Sequence, residues 1–442
     1  MNRVTRAVDV LVVGAGPAGL AAAAKLAAAG AGPVEILERE QEAGGIPRHS
    51  CHGRFGGFTG FGPRDLRRPM SGPQYARHLV DEAVRAGARL RTGVTVTGWA
   101  GPRTLDTTGP DGLERIGARA VVLATGARER PRSARLVPGT RPQGVLTTGE
   151  LQQAAHLYGQ PVGSRAVVVG AEPVAYSAAR TLMAAGAVVV AMVTDQPRTP
   201  LVSLRHRVPL LTEATVTELF GRGRLTGVGL RHRDGRTTTL RCDTIVFTGD
   251  WIPEHELARR GGIPLDPGTR GPAVDTALRT AEPGVFAAGN LLHGVEPAGT
   301  AAAEGRHAAE QVLRHLAGEP WPARALTVRV EDPLRWAAPN RIDPAGPPPM
   351  RGRFALRTTR PLALPVLVVS QDGRVLHRRR LPRTAVPGRS LYLSADWMSR
   401  TSAHGGPLVI TAHHYSARSS ISGSTSPAAL STRATNTALP FV

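Results

Sequence analysis

The stretch Asp9-Val10-Leu11-Val12-Val13-Gly14-Ala15-Gly16-Pro17-Ala18-Gly19 constrains the fold of this chain more than any other part of it. An apolar, Val-rich run ends on three glycines spaced as Gly14, Gly16 and Gly19, and an Ala-rich segment from Leu20 to Ala29 follows. The spacing predicts a buried strand, a tight turn and a helix. The first glycine allows the turn, the second lets backbone approach a pyrophosphate, and the third permits close packing of helix on strand. Glu38 lies 19 residues beyond Gly19 at the end of Val34-Glu35-Ile36-Leu37, where a carboxylate can accept from ribose hydroxyls.

The same grammar returns along the chain. Ala166 to Val169 runs into Gly170, Ala120 to Leu123 runs into Ala124-Thr125-Gly126, and Thr244 to Thr248 runs into Gly249. Continuous apolar runs alternating with Ala-rich segments indicate parallel strands in a doubly wound α/β architecture. We therefore expect two Rossmann-like three-layer domains, the second inserted in the first. Residues 1–150 and 270–320 form the first, with Gly284 to Asn290 returning the chain to it, and residues 151–269 form the second. Proline becomes dense after residue 320, and Gln371-Asp372-Gly373 between two short alternating runs carries a hairpin signal. A small β-rich domain over 321–412 follows, and the Ser/Thr/Ala-rich residues 413–442 read as a disordered tail. The cluster His377-Arg378-Arg379-Arg380 reads as a solvated hairpin arm rather than a docking patch.

Composition narrows the function classes. The net charge is +21, yet Lys25 is the sole lysine and the arginines are spread throughout, while aromatic residues make up only 4%. That leaves little material for base-stacking platforms, and nucleic-acid binding is set aside. The two cysteines, Cys51 and Cys242, supply neither a disulfide framework nor a CxxC pair. No apolar run approaches the ~18 residues of a membrane span, and Met1-Asn2-Arg3 leads into the first strand without a signal-peptide core. A cytoplasmic protein is expected.

The glycine turn, Ala124-Thr125-Gly126 and Val285-Phe286-Ala287-Ala288-Gly289-Asn290 together resemble the two-dinucleotide-binding-domain flavoproteins, the pyridine nucleotide-disulfide oxidoreductase superfamily, over roughly residues 8 to 320. The resemblance implies FAD in the first domain. It places Gly14, Gly16, Pro17, Ala18, Gly19 and Glu38 at the pyrophosphate and ribose, and Arg39 and Val96 at the adenine. It places Gly45, Ile46, Arg48, His49, Ala124, Thr125, Gly126, Gly289, Asn290 and Thr300 along the rest of the cofactor. Asn290 stands where most relatives carry Asp, so a neutral contact replaces a charged one. The helix beginning near Pro297 to Thr300 would aim its positive N-terminus at the pyrimidine side of the flavin.

Gly44-Gly45-Ile46-Pro47-Arg48-His49, Ser71-Gly72-Pro73-Gln74-Tyr75-Ala76 and Thr125 to Pro131 further resemble the flavoprotein subunits of hydrogen cyanide synthase and opine oxidase. No cysteine pair is present for dithiol chemistry. The resemblance implies two partners, an iron-sulfur subunit with a second flavoprotein subunit beside it. The C-terminal region holds no cysteine, so any cluster belongs to a partner.

The second turn, Gly170-Ala171-Glu172-Pro173-Val174-Ala175, puts Glu172 where the middle glycine belongs, which argues against NAD(P), although Asp195 stands where an adenosine ribose could be met. His49, His52 and His293 are the candidates for catalysis, each with a plain packing role as its alternative. Three functions remain open. One is the subunit of an FAD-dependent dehydrogenase or oxidase that oxidises an amino acid, opine or other amine. The others are an NAD(P)H-dependent flavin reductase and an FAD-binding assembly subunit without its own substrate.

Overall fold

The computed structural model of the chain describes residues 4–50, 70–197, 208–294 and 296–413. The first sheet has seven strands: β1 (Val4–Val13), β2 (Val34–Leu37), β3 (Arg89–Arg91), β4 (Thr95–Gly101), β5 (Thr104–Gly109), β6 (Gly112–Leu123) and, from far downstream, the strand Val285–Ala287. The order of the first six is β3-β2-β1-β6-β5-β4. The long β6 serves two purposes. Its first half pairs antiparallel with β5, and its second half lies in a parallel array between β1 and Val285–Ala287. Helix α1 (Pro17–Ala28) buries Ala18 to Ala23 and Leu26, and α2 (Gly72–Arg85) starts on a capping box made by Ser71 and Gln74.

The second sheet is parallel. The short crossing β7 (Ala127–Glu129) precedes β8 (Val145–Thr147), α3 (Thr148–His156), β9 (Arg165–Val169), α4 (Pro173–Ala184), β10 (Val188–Val193) and β11 (Leu210–Leu211). An antiparallel meander follows, β12 (Ala214–Phe220), β13 (Gly227–His232) and β14 (Thr237–Leu240), before β15 (Thr244–Phe247) enters the sheet in the order β11-β10-β9-β15-β8. The return strand β16 (Trp251–Pro253) pairs antiparallel with β7, so the two crossings between the α/β bodies run side by side. The second sheet therefore begins at β8, ahead of residue 150. The first core takes the chain back ahead of residue 270, because Ala258 of α5 (Glu256–Arg260) and Ile263 pack with Leu11 and Leu105. The first body closes with β17, the strand Val285–Ala287 already named, and α6 (Ala298–Leu316).

The C-terminal part is all β. Strands β18 (Leu326–Val330), β19 (Leu334–Ala338), β20 (Arg341–Ile342), β21 (Arg353–Thr358), β22 (Val366–Gln371), β23 (Arg374–Arg380), β24 (Leu391–Ser394) and β25 (Leu408–His413) form a five-stranded and a three-stranded sheet over one core. Phe354 stacks on Trp397 inside it, with ring centroids 5.2 Å apart. The hairpin at Gln371-Asp372-Gly373 forms as expected, both central residues having positive φ (48° and 78°), the requirement of a type I′ turn. Arg378, Arg379 and Arg380 lie on β23, the edge strand, with the three arginines turned to solvent. This domain is docked on the first: Asn340 Oδ1 accepts from Val274 N at 2.9 Å, and Arg279 bridges Asp275 at 2.7 Å and Asp343 at 2.9 Å. His413 closes β25, and the expected tail beyond it lies outside the described residues. Among the described residues no helix is long and apolar enough to cross a membrane.

Candidate functional site

Four segments of the first body meet around the opening turn. Gly14 N donates to Leu37 O at 2.8 Å, and Ala124 N donates to Val13 O at 2.8 Å, so the turn hangs between the ends of β2 and β6. A Cβ on Gly14, whose φ is 103°, would fall 2.5 Å from Ala124 O, and one on Gly19 would fall 1.9 Å from Gly14 O. Both positions are closed to any other residue. Gly16 is the opposite case, since a Cβ there would meet nothing within 4 Å. The face of the turn over Gly16 is open. The first turn of α1 carries no side-chain cap and no acidic residue, leaving its amides and positive dipole end for an anion.

Around that opening, Glu38 is buried, its Oε2 accepting from Ala15 N at 2.9 Å and its Oε1 from Glu40 N at 3.1 Å. Gly44 N donates to Ala15 O at 2.8 Å, and Gly45 approaches Gly16 so closely that a Cβ would stand 3.0 Å from its Cα. Ile46 is exposed. Arg48 turns back to Glu42 O at 3.0 Å. His49 is 5% exposed, yet among the described residues neither ring nitrogen has a partner. Burial, then Arg48 and His156, push its pKa down to about 4, so at neutral pH it is an uncharged imidazole that can offer a hydrogen bond to a bound molecule. Thr125 Oγ1 donates to Glu254 O at 2.8 Å, and Glu254 N to Gly126 O at 2.9 Å. Arg39 is exposed beside Glu254, and Val96 sits in β4 opposite Thr107. Gly289 lies on α1, a Cβ there falling 2.7 Å from that of Ala18, and Gly305 of α6 packs against Ala18 O. Asn290 Oδ1 accepts from Glu296 N at 3.1 Å, and Thr300 is in the first turn of α6, which has no side-chain cap. His52 and Cys51 fall outside the described residues. An open glycine face, an uncapped helix start, a buried carboxylate at the strand end and the two unpartnered nitrogens of His49 fit FAD.

The second turn repeats this frame and then departs from it. Gly170 N donates to Val193 O at 2.8 Å and Thr248 N to Val169 O at 2.9 Å, matching the bonds at Gly14 and Ala124. Here, however, the Glu172 side chain folds back over the turn. Its Oε2 accepts from Ala171 N at 3.0 Å, and its Oε1 accepts from the Thr248 hydroxyl. A carboxylate of the chain itself fills the anion niche, and Gly388 of the β domain lies so near that a Cβ on it would touch Glu172 Cβ at 3.4 Å. Asp195 is exposed and holds Gln196 at 3.0 Å rather than reaching the turn. These residues do not fit an NAD(P) pyrophosphate.

Reasoning from sequence missed Glu129. It is 7% exposed on β7; its Oε2 accepts from Gly149 N at 2.9 Å, and its Oε1 makes no hydrogen bond among the described residues. Burial pushes its carboxyl up to about 7, with the Gly149 amide and the Thr148 side chain opposing and the Glu172 charge adding. A folded-state pKa above the ordinary 4.5 means that the native state holds the extra proton, so stability falls as pH rises from about 4.5 to about 7. Glu129→Gln should remove that fall, a gain over the parent of up to about 3 kcal/mol at pH 8 that is absent near pH 4. Denaturant titrations at the two pH values check it; an equal effect at both would sink the assignment.

Residues 8–305 match the family model described as pyridine nucleotide-disulphide oxidoreductase, and the chain belongs to that family. It is an FAD-dependent oxidoreductase of that class, and the family implies NAD(P) involvement as well, which the second turn resists. It is 30% identical over 347 residues to the alpha subunit of the sarcosine oxidase of Rhizobium meliloti, covering 75% of this chain and 33% of that one. It is 29% identical to one subunit of the opine oxidase of Agrobacterium tumefaciens, covering 70% of this chain and 66% of that one. The chain thus spans a third and just under two thirds of these relatives. Among solved structures it resembles the thioredoxin reductase of T. acidophilum, at 25% identity and a TM-score of 0.59, over 71% of this chain and all of that one.

Proposed function

We propose that this chain is the flavoprotein subunit of an enzyme that oxidises a CH–NH donor, an amino acid, opine or other amine, and passes the electrons to a partner or to oxygen. The observation that carries this reading is the contrast between the two turns: Gly16 is open to a dinucleotide while Glu172 fills its counterpart. Likeness to sarcosine and opine oxidase subunits supports the donor class. In this reading the turn and the first amides of α1 hold the pyrophosphate, Glu38 takes the ribose hydroxyls, and His49, neutral, offers a hydrogen bond without adding charge. Arg39 and Val96 border the adenine, while Gly45, Ile46, Arg48, Ala124 to Gly126, Gly289, Asn290 and Thr300 line the remainder. Bound FAD supplies a two-electron acceptor for hydride from the donor carbon. The partners this reading calls for are an iron-sulfur subunit, together with a second flavoprotein, in a cytoplasmic setting.

An NAD(P)H-dependent reductase is the second reading, favoured by the family itself and by the likeness to a thioredoxin reductase. Anaerobic titration of the FAD-loaded protein separates them. Bleaching of the flavin band by sarcosine, an opine or an amino acid is expected, with NADH and NADPH inert. Rapid bleaching by either nucleotide would overturn the first reading, and bleaching by no small molecule would favour an assembly subunit.

A further inference from the structure

The loop between β17 and α6 is tied by polar groups that bond one another, while His293 Nδ1 has no partner among the described residues. Gly289 N donates to Glu304 Oε2 at 3.0 Å, Glu304 Oε1 meets His293 Nε2 at 2.9 Å, and Asn290 Oδ1 accepts from Glu296 N. Burial opposes a charge on His293, but the Glu304 carboxylate, with Glu296 behind it, carries its pKa upward. Sealed in this way, His293 holds the loop.

Glu296 leaves this network and crosses to the β domain. Its Oε1 accepts from Arg357 Nη2 at 3.1 Å and from the Ser390 hydroxyl, and its Oε2 accepts from Tyr392 at 3.3 Å. Arg357 and Glu296 are 8% and 7% exposed. The Arg357 guanidinium lies 5.1 Å over the ring of Trp336, which lies 5.4 Å from the ring of His293. The β domain therefore grips the loop twice, at Glu296 by charge and at His293 by ring contact. Gly289, at the head of the loop, rests on Ala18 in the first turn of α1, beside the open face of Gly16. Glu296 also immediately precedes Pro297, the N-cap of α6.

We propose that Arg357 is a positioning residue for the cofactor, neutralising Glu296 and thereby holding the Gly289–Asn290 end of the loop against α1, so that the β domain forms part of the dinucleotide site. This rests on the FAD reading of the first turn. A buried carboxylate without its cation would be strongly unfavourable and would pull the loop toward any other donor. Tyr392, whose hydroxyl burial and Glu296 push up to about 12, stays a proton donor and cannot replace a cation.

The test is FAD affinity of the full chain, measured by quenching of flavin fluorescence on adding FAD to apoprotein. Arg357→Met should weaken binding about tenfold or more, Arg357→Lys should recover part of it, and Glu296→Gln combined with Arg357→Met should restore most of it. The double variant is the deciding arm, because a residue that only filled space would not be rescued by removing a charge. A double variant no better than Arg357→Met, or an Arg357→Met affinity equal to the parent, overturns the proposal. A parent that takes up no FAD overturns the cofactor reading instead, and the two failures are distinct. Should Arg357→Met not fold, Glu296→Gln binding FAD at least as well as the parent supports the charge argument, and a loss tenfold or greater refutes it.

Discussion

Glu172→Gly should tighten binding of NADH or ADP-ribose at least about 30-fold over the parent, equivalent to about 2 kcal/mol. The frame for a pyrophosphate already exists, since Gly170 N and Thr248 N make the same two bonds as their counterparts in the first turn, and α4 starts directly after Glu172. Only the carboxylate stands in the niche, bonded to Ala171 N and the Thr248 hydroxyl. Removing it frees the Ala171 N–H, while the Thr248 hydroxyl keeps Val169 O at 2.8 Å, and takes away a charge that would oppose phosphate by several kcal/mol at close range, on the order of 4 at an effective dielectric of 20. Glu172→Gln should recover little, because the side chain still fills the space. Calorimetric titration of parent and both variants checks this. A parent that already binds as tightly as Glu172→Gly, or a Gln variant that gains as much as the Gly variant, would show the steric argument to be wrong.

The second large effect separates two glycines of the first turn that look alike in sequence. Gly16→Ala should leave the stability of the apoprotein within about 0.5 kcal/mol of the parent, since the added methyl meets nothing within 4 Å and the backbone there is extended. It should nevertheless lower FAD affinity about 100-fold, because the methyl projects onto the face that the pyrophosphate approaches. Gly19→Ala should do the reverse in order of cause. Its methyl would sit 1.9 Å from Gly14 O and 3.2 Å from a methyl of Val12, so α1 must move off the sheet, costing about 3 kcal/mol or more and FAD binding with it. Thermal melts of both apoproteins, alongside FAD titrations, distinguish the two. A Gly16→Ala variant that loads FAD like the parent would remove the first turn from the cofactor site.

Several features were legible because they are local. A strand ending on Gly14 with the next glycines at 16 and 19 imposes a turn of fixed shape, and Glu38 follows at the offset that brings a strand end beside that turn. Glu172 was legible in the same way, as a residue type that the geometry cannot ignore. The hairpin at Asp372-Gly373 required only two residues that tolerate positive φ. The position of β8 was not legible, because an edge strand of three residues gains its identity from pairing with β15, about a hundred residues away.

The sequence by itself determined that two dinucleotide-type turns exist, that one is intact and the other carries a carboxylate, and that no cysteine pair is available for dithiol chemistry. These are statements about steric permission and reactive groups, which a short stretch of chain settles alone. Only the tertiary structure decided where Glu172 points, that burial raises the Glu129 carboxyl to about 7, that His49 is buried without partners among the described residues, and that Arg357 closes on Glu296 across 61 residues of sequence. Charge and burial at these positions depend on which distant surfaces exclude water and which ion stands opposite, and neither is encoded in the neighbouring residues.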